Sequence, residues 1–220
     1  MALSGVVFAV LFVIGWFASG GDAPDYAAPD QNWINWADDN QWKSRIGAFA
    51  MLLAAFVFLH FAATIRTALG NAETNLRGFA ELARVAFAGA IVGMAGMTMA
   101  IVIISSATTE GADANPTVTR AMASTSAGPF LLSAVGFAAF LLPAAVLTLR
   151  SDVFARWTGV VALIGAVSFL VAFATVLAGL GEDSIFGFGF FPGVLALVIW
   201  SIATSVHRYR AVAPSLAISP

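Results

Sequence analysis

Six long apolar stretches free of formal charge constrain this chain more than anything else in it. Ala2–Ser19, Ile46–Ile65, Val85–Ser105, Gly128–Leu149, Trp157–Leu180 and Phe186–Val206 contain no Asp, Glu, Lys or Arg. A helix crossing roughly 30 Å of hydrocarbon needs about 20 mostly apolar residues, which each stretch supplies, the first only just. A closed barrel is the other way to satisfy the backbone in lipid. Its strands are about half this length and alternate in polarity, so the runs read as helices. The predicted fold is all-α: a single domain over residues 1–220, built as a polytopic bundle of six transmembrane helices.

Composition agrees with that reading. Apolar residues make up 60% of the chain and charged residues only 10%, too few charges to solvate a globule of this size. Ten Lys and Arg against twelve Asp and Glu leave no basic stripe for nucleic acid. With no cysteine, disulfides, thiolate zinc sites, iron–sulfur clusters and cysteine catalysis are excluded. The first stretch ends Ala18-Ser19-Gly20, a small-residue pattern like a signal cleavage site, but it lacks a basic n-region and is read as a span.

The basic residues set the orientation. With the N-terminus inside, seven (Arg66, Arg77, Arg84, Arg150, Arg156, Arg208 and Arg210) fall on cytoplasmic segments and three (Lys43, Arg45 and Arg120) outside. The positive-inside rule therefore places both termini in the cytoplasm.

Three segments outside the spans have content. In the outer stretch 20–45, Asp30 is a candidate N-cap for a short helix. Trp33, Trp36 and Trp42 suit an interfacial aromatic belt, or else an extracytoplasmic aromatic site. In the inner segment 71–84, Asn71 can cap a helix whose Glu73, Arg77 and Glu81 fall at i, i+4, i+8. That helix is expected to run on into the third span, from about residue 72 to 105. The outer segment 107–127, rich in Thr, Ser, Ala and Gly, is expected to be a loop.

Few groups inside the spans carry chemistry. His60 is the one ionisable residue well within a span, six residues before Arg66 and about 9 Å from the inner boundary at helical rise. Such a residue is expensive in hydrocarbon. Two readings stand: a neutral histidine hydrogen-bonded across a helix interface, or a functional group (a proton relay, a haem axial ligand or a polar hook for a ligand headgroup), with Thr64 one turn further on the same face. A bis-histidine haem would have to recruit His207, at the water boundary beside Arg208, with Met94, Met97 and Met99 as thioether alternatives. No metal and no cofactor is assigned. Gly89, Gly93 and Gly96 form a small-residue ridge suited to close helix packing, within this chain or against another. The sixth span opens Phe186-Gly187-Phe188-Gly189-Phe190-Phe191-Pro192-Gly193, where glycines and a proline weaken the first turns. It starts either as an ordinary helix with Pro192 near its N-terminus or as broken backbone lining a binding cavity. In the second case Phe186, Phe188 and Pro192 would join His60 and Thr64 as ligand-binding residues. Pro143 is a candidate kink in the fourth span, and Pro129 suits a helix start. Nucleophile-elbow, zincin, dinucleotide and P-loop motifs are absent, and no carboxylate lies within a span.

Several short segments carry a resemblance. An opening Ser-Gly-Val-Val-Phe-Ala-Val-Leu-Phe is followed by Gly-Asp-Ala-Pro-Asp-Tyr, then Trp-x-x-Trp-Ala-Asp-Asp-Asn. The second span closes Phe-Leu-His-Phe-Ala-Ala-Thr-Ile-Arg, and Arg-Trp-Thr-Gly-Val-Val opens the fifth. The chain resembles a group of uncharacterised multi-pass membrane proteins of high-GC actinobacteria, and its 44 alanines and nine Arg to one Lys fit such a genome. The resemblance implies no activity, cofactor or catalytic residue. It does imply a bacterial plasma membrane location. The expected function is that of a non-enzymatic accessory or structural subunit, in the bilayer, packed against another integral membrane protein or a second copy. The competing expectations are binding or transport of a small hydrophobic or amphipathic molecule within the bundle, and a haem-binding oxidoreductase subunit.

Overall fold

The computed structural model describes residues 3–19, 23–74, 76, 81–109, 115–174 and 186–216, the last without side chains at 186–188 and 212–216. All regular structure among them is helical: α1 (Ser4–Phe17), α2 (Asp30–Glu73), α3 (Leu82–Ala107), α4 (Pro116–Thr125), α5 (Ala127–Arg150), α6 (Arg156–Ala174) and α7 (Phe186–Leu216). By length and composition, α2, α3, α5, α6 and α7 can each cross a membrane. α1 is apolar but has only 14 residues, about 21 Å at helical rise. Six apolar helices are therefore present, but the first is shorter than its expected 18 residues. It ends where Ala18 and Ser19 lie against α2 so closely that a Cβ on Gly47 would be 2.6 Å from the Ala18 carbonyl carbon.

Four further elements differ from the sequence expectation, each for a local reason. α2 is one helix of 44 residues rather than a short outer helix followed by a span. No Gly or Pro lies between Asp30 and Ile46 to stop it. Pro29 occupies its N-cap position and Asp30 its first turn, where the carboxylate meets Arg120 at 2.9 Å instead of capping. At the other end the helix continues through Asn71, so Asn71 is no cap.

The inner helix fused to the third span is also absent. Glu81 adopts a left-handed conformation (φ 80°) and turns the chain immediately before Leu82. Glu73, at the end of α2, accepts from the Leu82 amide at 2.6 Å and satisfies one of the open N–H groups of α3. Glu73 and Glu81 thus flank a hairpin rather than share a helix face. Glu81 pairs with Arg84 at 2.7 Å, and Arg77 lies outside the described residues.

The expected loop 107–127 contains α4. Its start is an Asn115-Pro116 pair in which the Asn115 side chain accepts from the amides of Thr117 and Val118, at 3.0 and 3.4 Å. Proline in the first helical position loses nothing, because its amide would have had no partner there. The fourth difference is α7, which is helical from Phe186 through Pro192 and runs past Val206 to Leu216. Its glycines serve contact: a Cβ on Gly189 would be 2.5 Å from the Ala172 amide, and one on Gly193 2.9 Å from the Phe169 ring. α5 likewise continues through Pro143.

The six apolar helices form a ring in the order α1, α2, α3, α5, α6, α7, and α7 returns to α1. One end of the ring carries Arg66, Arg84, Arg150, Arg156, Arg208 and Arg210. The other carries Asp25, Asp30, Asp38 and Asp39, α4 and the first turns of α2. Aromatic side chains fill the space between the helices. Phe8 meets Phe58 at 4.6 Å between ring centroids, Phe58 meets Phe140 at 5.7 Å, and Phe140 meets Trp200 at 5.3 Å. A second line runs Phe137–Phe169–Phe190 at 5.4 and 5.6 Å. Tilted and edge-on pairs predominate, as the ring quadrupole favours.

Candidate interaction surface

Apolar helices in lipid gain little from the hydrophobic effect when they meet, so backbone proximity has to come from small residues. Here α3 and α5 supply them to each other. Gly89, Gly93 and Gly96 are buried on the α5 side of α3. Added Cβ atoms there would be 2.5 Å from the Phe140 amide, 2.6 Å from the Phe137 ring and 2.7 Å from the Ser133 amide. Gly136 on α5, a position the sequence pattern does not single out, lies on the Gly93 backbone. The ridge is thus consumed inside the chain: of the two placements the sequence allowed, within this chain or against another, these glycines take the first. The signal for Gly136 was present in Gly136-Phe137-Ala138-Ala139, but only a facing helix reveals its use.

The bundle exterior is different. His60 is exposed, on a stripe of α2 that runs Phe49, Leu52, Phe56, Leu59, His60 and Ala63. The Phe56 and His60 rings are 5.0 Å apart, and His60 Nδ1 is 3.1 Å from the Phe56 carbonyl oxygen. A carbonyl can only accept, so Nδ1 carries the proton in this contact. In the neutral ring that leaves Nε2 as an acceptor. Neither sequence reading of His60 describes this placement. The ring makes no bond across a helix interface, because its partner is one turn back on its own helix. Nor does it hook into the interior, from which the helix turns it away. Thr64 is no partner to it, since its hydroxyl donates to the Phe61 carbonyl at 2.7 Å.

The other proposed ligand residues do not join it. Pro192 is exposed, in the half of α7 near the acidic end, whereas His60 lies toward the basic end. The side chains of Phe186 and Phe188 lie outside the described residues. His207 packs edge-on against Phe154 at 5.9 Å and makes no ligand pair with the outward-turned His60. Met94 and Met97 are core and Met99 is exposed. Among the described residues no three His, Cys, Asp or Glu converge.

The tryptophan belt is corrected for two of its three members. Trp33 and Trp36 are buried with Ala37 and Ala107 in a small core beneath α4, and only Trp42 faces out. The turn spacing that put Trp33 and Trp36 on one face was visible in the sequence; the helix that covers them was not. Arg120 fastens this outer cap. Its guanidinium donates to the Ala28 carbonyl and the Asp30 carboxylate, each at 2.9 Å, and lies over the rings of Tyr26 and Trp33 at 5.6 and 5.7 Å.

Among the described residues, five helices long and apolar enough to span, a shorter sixth and a core without a charged group make this an integral membrane protein. No curated protein and no solved structure matches the chain. A family model does, over residues 3–206. The chain belongs to the family defined by that model, a domain of unknown function (DUF4386).

Proposed function

We propose that this protein is a non-enzymatic accessory or structural subunit of a bacterial plasma membrane, both termini cytoplasmic, that binds another integral membrane protein along the outward stripe of α2. The observation that carries the reading is His60. In spanning segments such residues ordinarily face a bundle interior or an aqueous cavity, because lipid offers them no partner. An imidazole turned outward, with Nδ1 held by its own helix, is suited to be covered by a neighbouring helix that donates an O–H or N–H to Nε2. A symmetric pairing of two copies through His60 would bring acceptor against acceptor. That favours a different protein as the partner.

Binding or transport inside the bundle has less support. The aromatic rings occupy the space such a ligand would need, and the in-span groups expected to hold it are not gathered at one place. The haem reading has no more support: His60 faces outward on α2 against Phe56, while His207 packs against Phe154 beside α6.

Extraction of the complex from native membranes, followed by native mass spectrometry, tests the proposal. The wild-type chain is expected to carry a second, different polypeptide in fixed ratio. His60→Leu is expected to lower its recovery about fivefold, the equivalent of roughly 1 kcal/mol for a hydrogen bond between membrane helices. His60→Gln, which keeps an acceptor, should restore part of it. A chain recovered alone, or equal recovery with His60→Leu, would overturn the reading.

A further inference from the structure

At the basic end of the bundle, residues of α6 and α7 line an open groove of about 490 Å³. One face of α7 lines it with Ile199, Ile202, Ala203 and Val206, then with His207 and Arg210; Trp157, at the start of α6, lines the opposite side. The groove is therefore graded along its length. Its membrane-side part is aliphatic, and its mouth, one turn further along α7, bears a guanidinium, an imidazole and an indole. No Asp or Glu lines it. Among the described residues neither His207 nor Arg210 forms an ion pair, and both are exposed. Phe154 packs edge-on against the His207 ring at 5.9 Å and holds it at the mouth.

We infer that this groove binds an anionic phospholipid. Its phosphate would take hydrogen bonds from Arg210 and His207, and one acyl chain would lie along Ile199 and Ile202. Each half of the groove argues for the whole ligand. A free phosphate has no use for the aliphatic part, and a zwitterionic lipid would bring its own cation to a mouth that already holds one. Basic pockets between spanning helices are suited to acidic headgroups because the attraction acts where water and counter-ions are partly excluded. Trp157, beside Arg156 at the start of α6, adds an indole to the lining, and such rings settle at headgroup level beside the glycerol backbone. The inference is independent of the partner proposed for α2, whose stripe is a different surface.

Native mass spectrometry of the purified full chain in detergent tests it, with dioleoylphosphatidylglycerol, dioleoylphosphatidylcholine and inorganic phosphate as probes. The glycerol lipid is expected to be retained at least about fivefold better than the choline lipid, the preference one favourably placed cation confers. Arg210→Gln together with His207→Leu should bring the two lipids to parity. Ala203→Trp, which fills the aliphatic part without removing charge, should reduce retention of both. Arg66→Gln, a charge removed at the same end on α2, should change nothing. Equal retention of the two lipids by the wild-type chain would overturn the inference, as would undiminished preference in the double variant. Displacement of the lipid by millimolar phosphate would also overturn it, by reducing the groove to a simple anion site.

Discussion

Gly136→Ala is expected to destabilise the bundle by about 3 kcal/mol, the upper end of what overpacking costs, because the clash is with backbone and no rotamer relieves it. The added methyl would fall on the Gly93 amide nitrogen and 2.5 Å from its Cα. α3 and α5 form the most extensive helix pair in the protein, so the two helices would have to part along their length to admit it. Gly136→Leu should abolish the folded state. Unfolding in mixed micelles of dodecyl maltoside and SDS, followed by circular dichroism, measures the shift. Gly70→Ala is the control: a Cβ there meets nothing within 4 Å, and alanine in a helix interior is favoured by roughly 0.5–1 kcal/mol. Equal behaviour of the two variants would remove the α3–α5 crossing from the account.

The second large effect is expected at Trp200. Its indole is fully buried and meets Phe61, Phe140 and Phe154 at 5.9, 5.3 and 6.3 Å, joining α2, α5, α7 and the α5–α6 turn. Trp200→Ala should cost about 3–5 kcal/mol, as truncation of a buried aromatic does when its surroundings close only partly. Trp200→Phe should cost far less. The indole N–H has no hydrogen-bond partner among the described residues, so the smaller ring removes an unsatisfied donor along with some volume. The same unfolding assay separates the two. A phenylalanine variant as weak as the alanine variant would mean that the indole nitrogen holds something the aromatic packing does not explain.

Much of the architecture was legible because hydrocarbon imposes a length and a polarity on every crossing segment. The centres of the spans follow from charge-free runs alone. Their ends do not. α2 continues on both sides of its apolar run: residues 31–45 contain no breaker, and at the other end Glu73 takes the Leu82 amide of α3, a partner nine residues on that local patterning does not reveal. α4 was concealed by composition: Thr, Ser and Ala read as loop, while the Asn-Pro pair that starts the helix is a two-residue signal.

The surface was less legible than the fold. Helical periodicity places Gly89 and Gly93 on one face but not which helix lies opposite, and Gly136 is what decides it. His60 was singled out by its chemistry, yet its direction depends on the rotation of α2 about its axis. That rotation is set by Phe58, Phe61 and Ile65 packing inward, and an almost uniformly apolar span gives no contrast from which to read it. Trp33 and Trp36 were misassigned for a related reason. Indoles near a membrane boundary suit water, headgroup or protein equally, and α4 determined which.

Photocross-linking in native membranes reads out whether the partner proposed for the outward α2 surface sits there. A benzoylphenylalanine placed at Leu59, exposed beside His60, is compared with one at Ile164, equally outward on α6. The account predicts one discrete adduct with a different membrane polypeptide at Leu59, diminished by His60→Leu, and only lipid adducts at Ile164. Lipid adducts alone at both positions, or a Leu59 adduct at the mass of two copies of this chain, would contradict it.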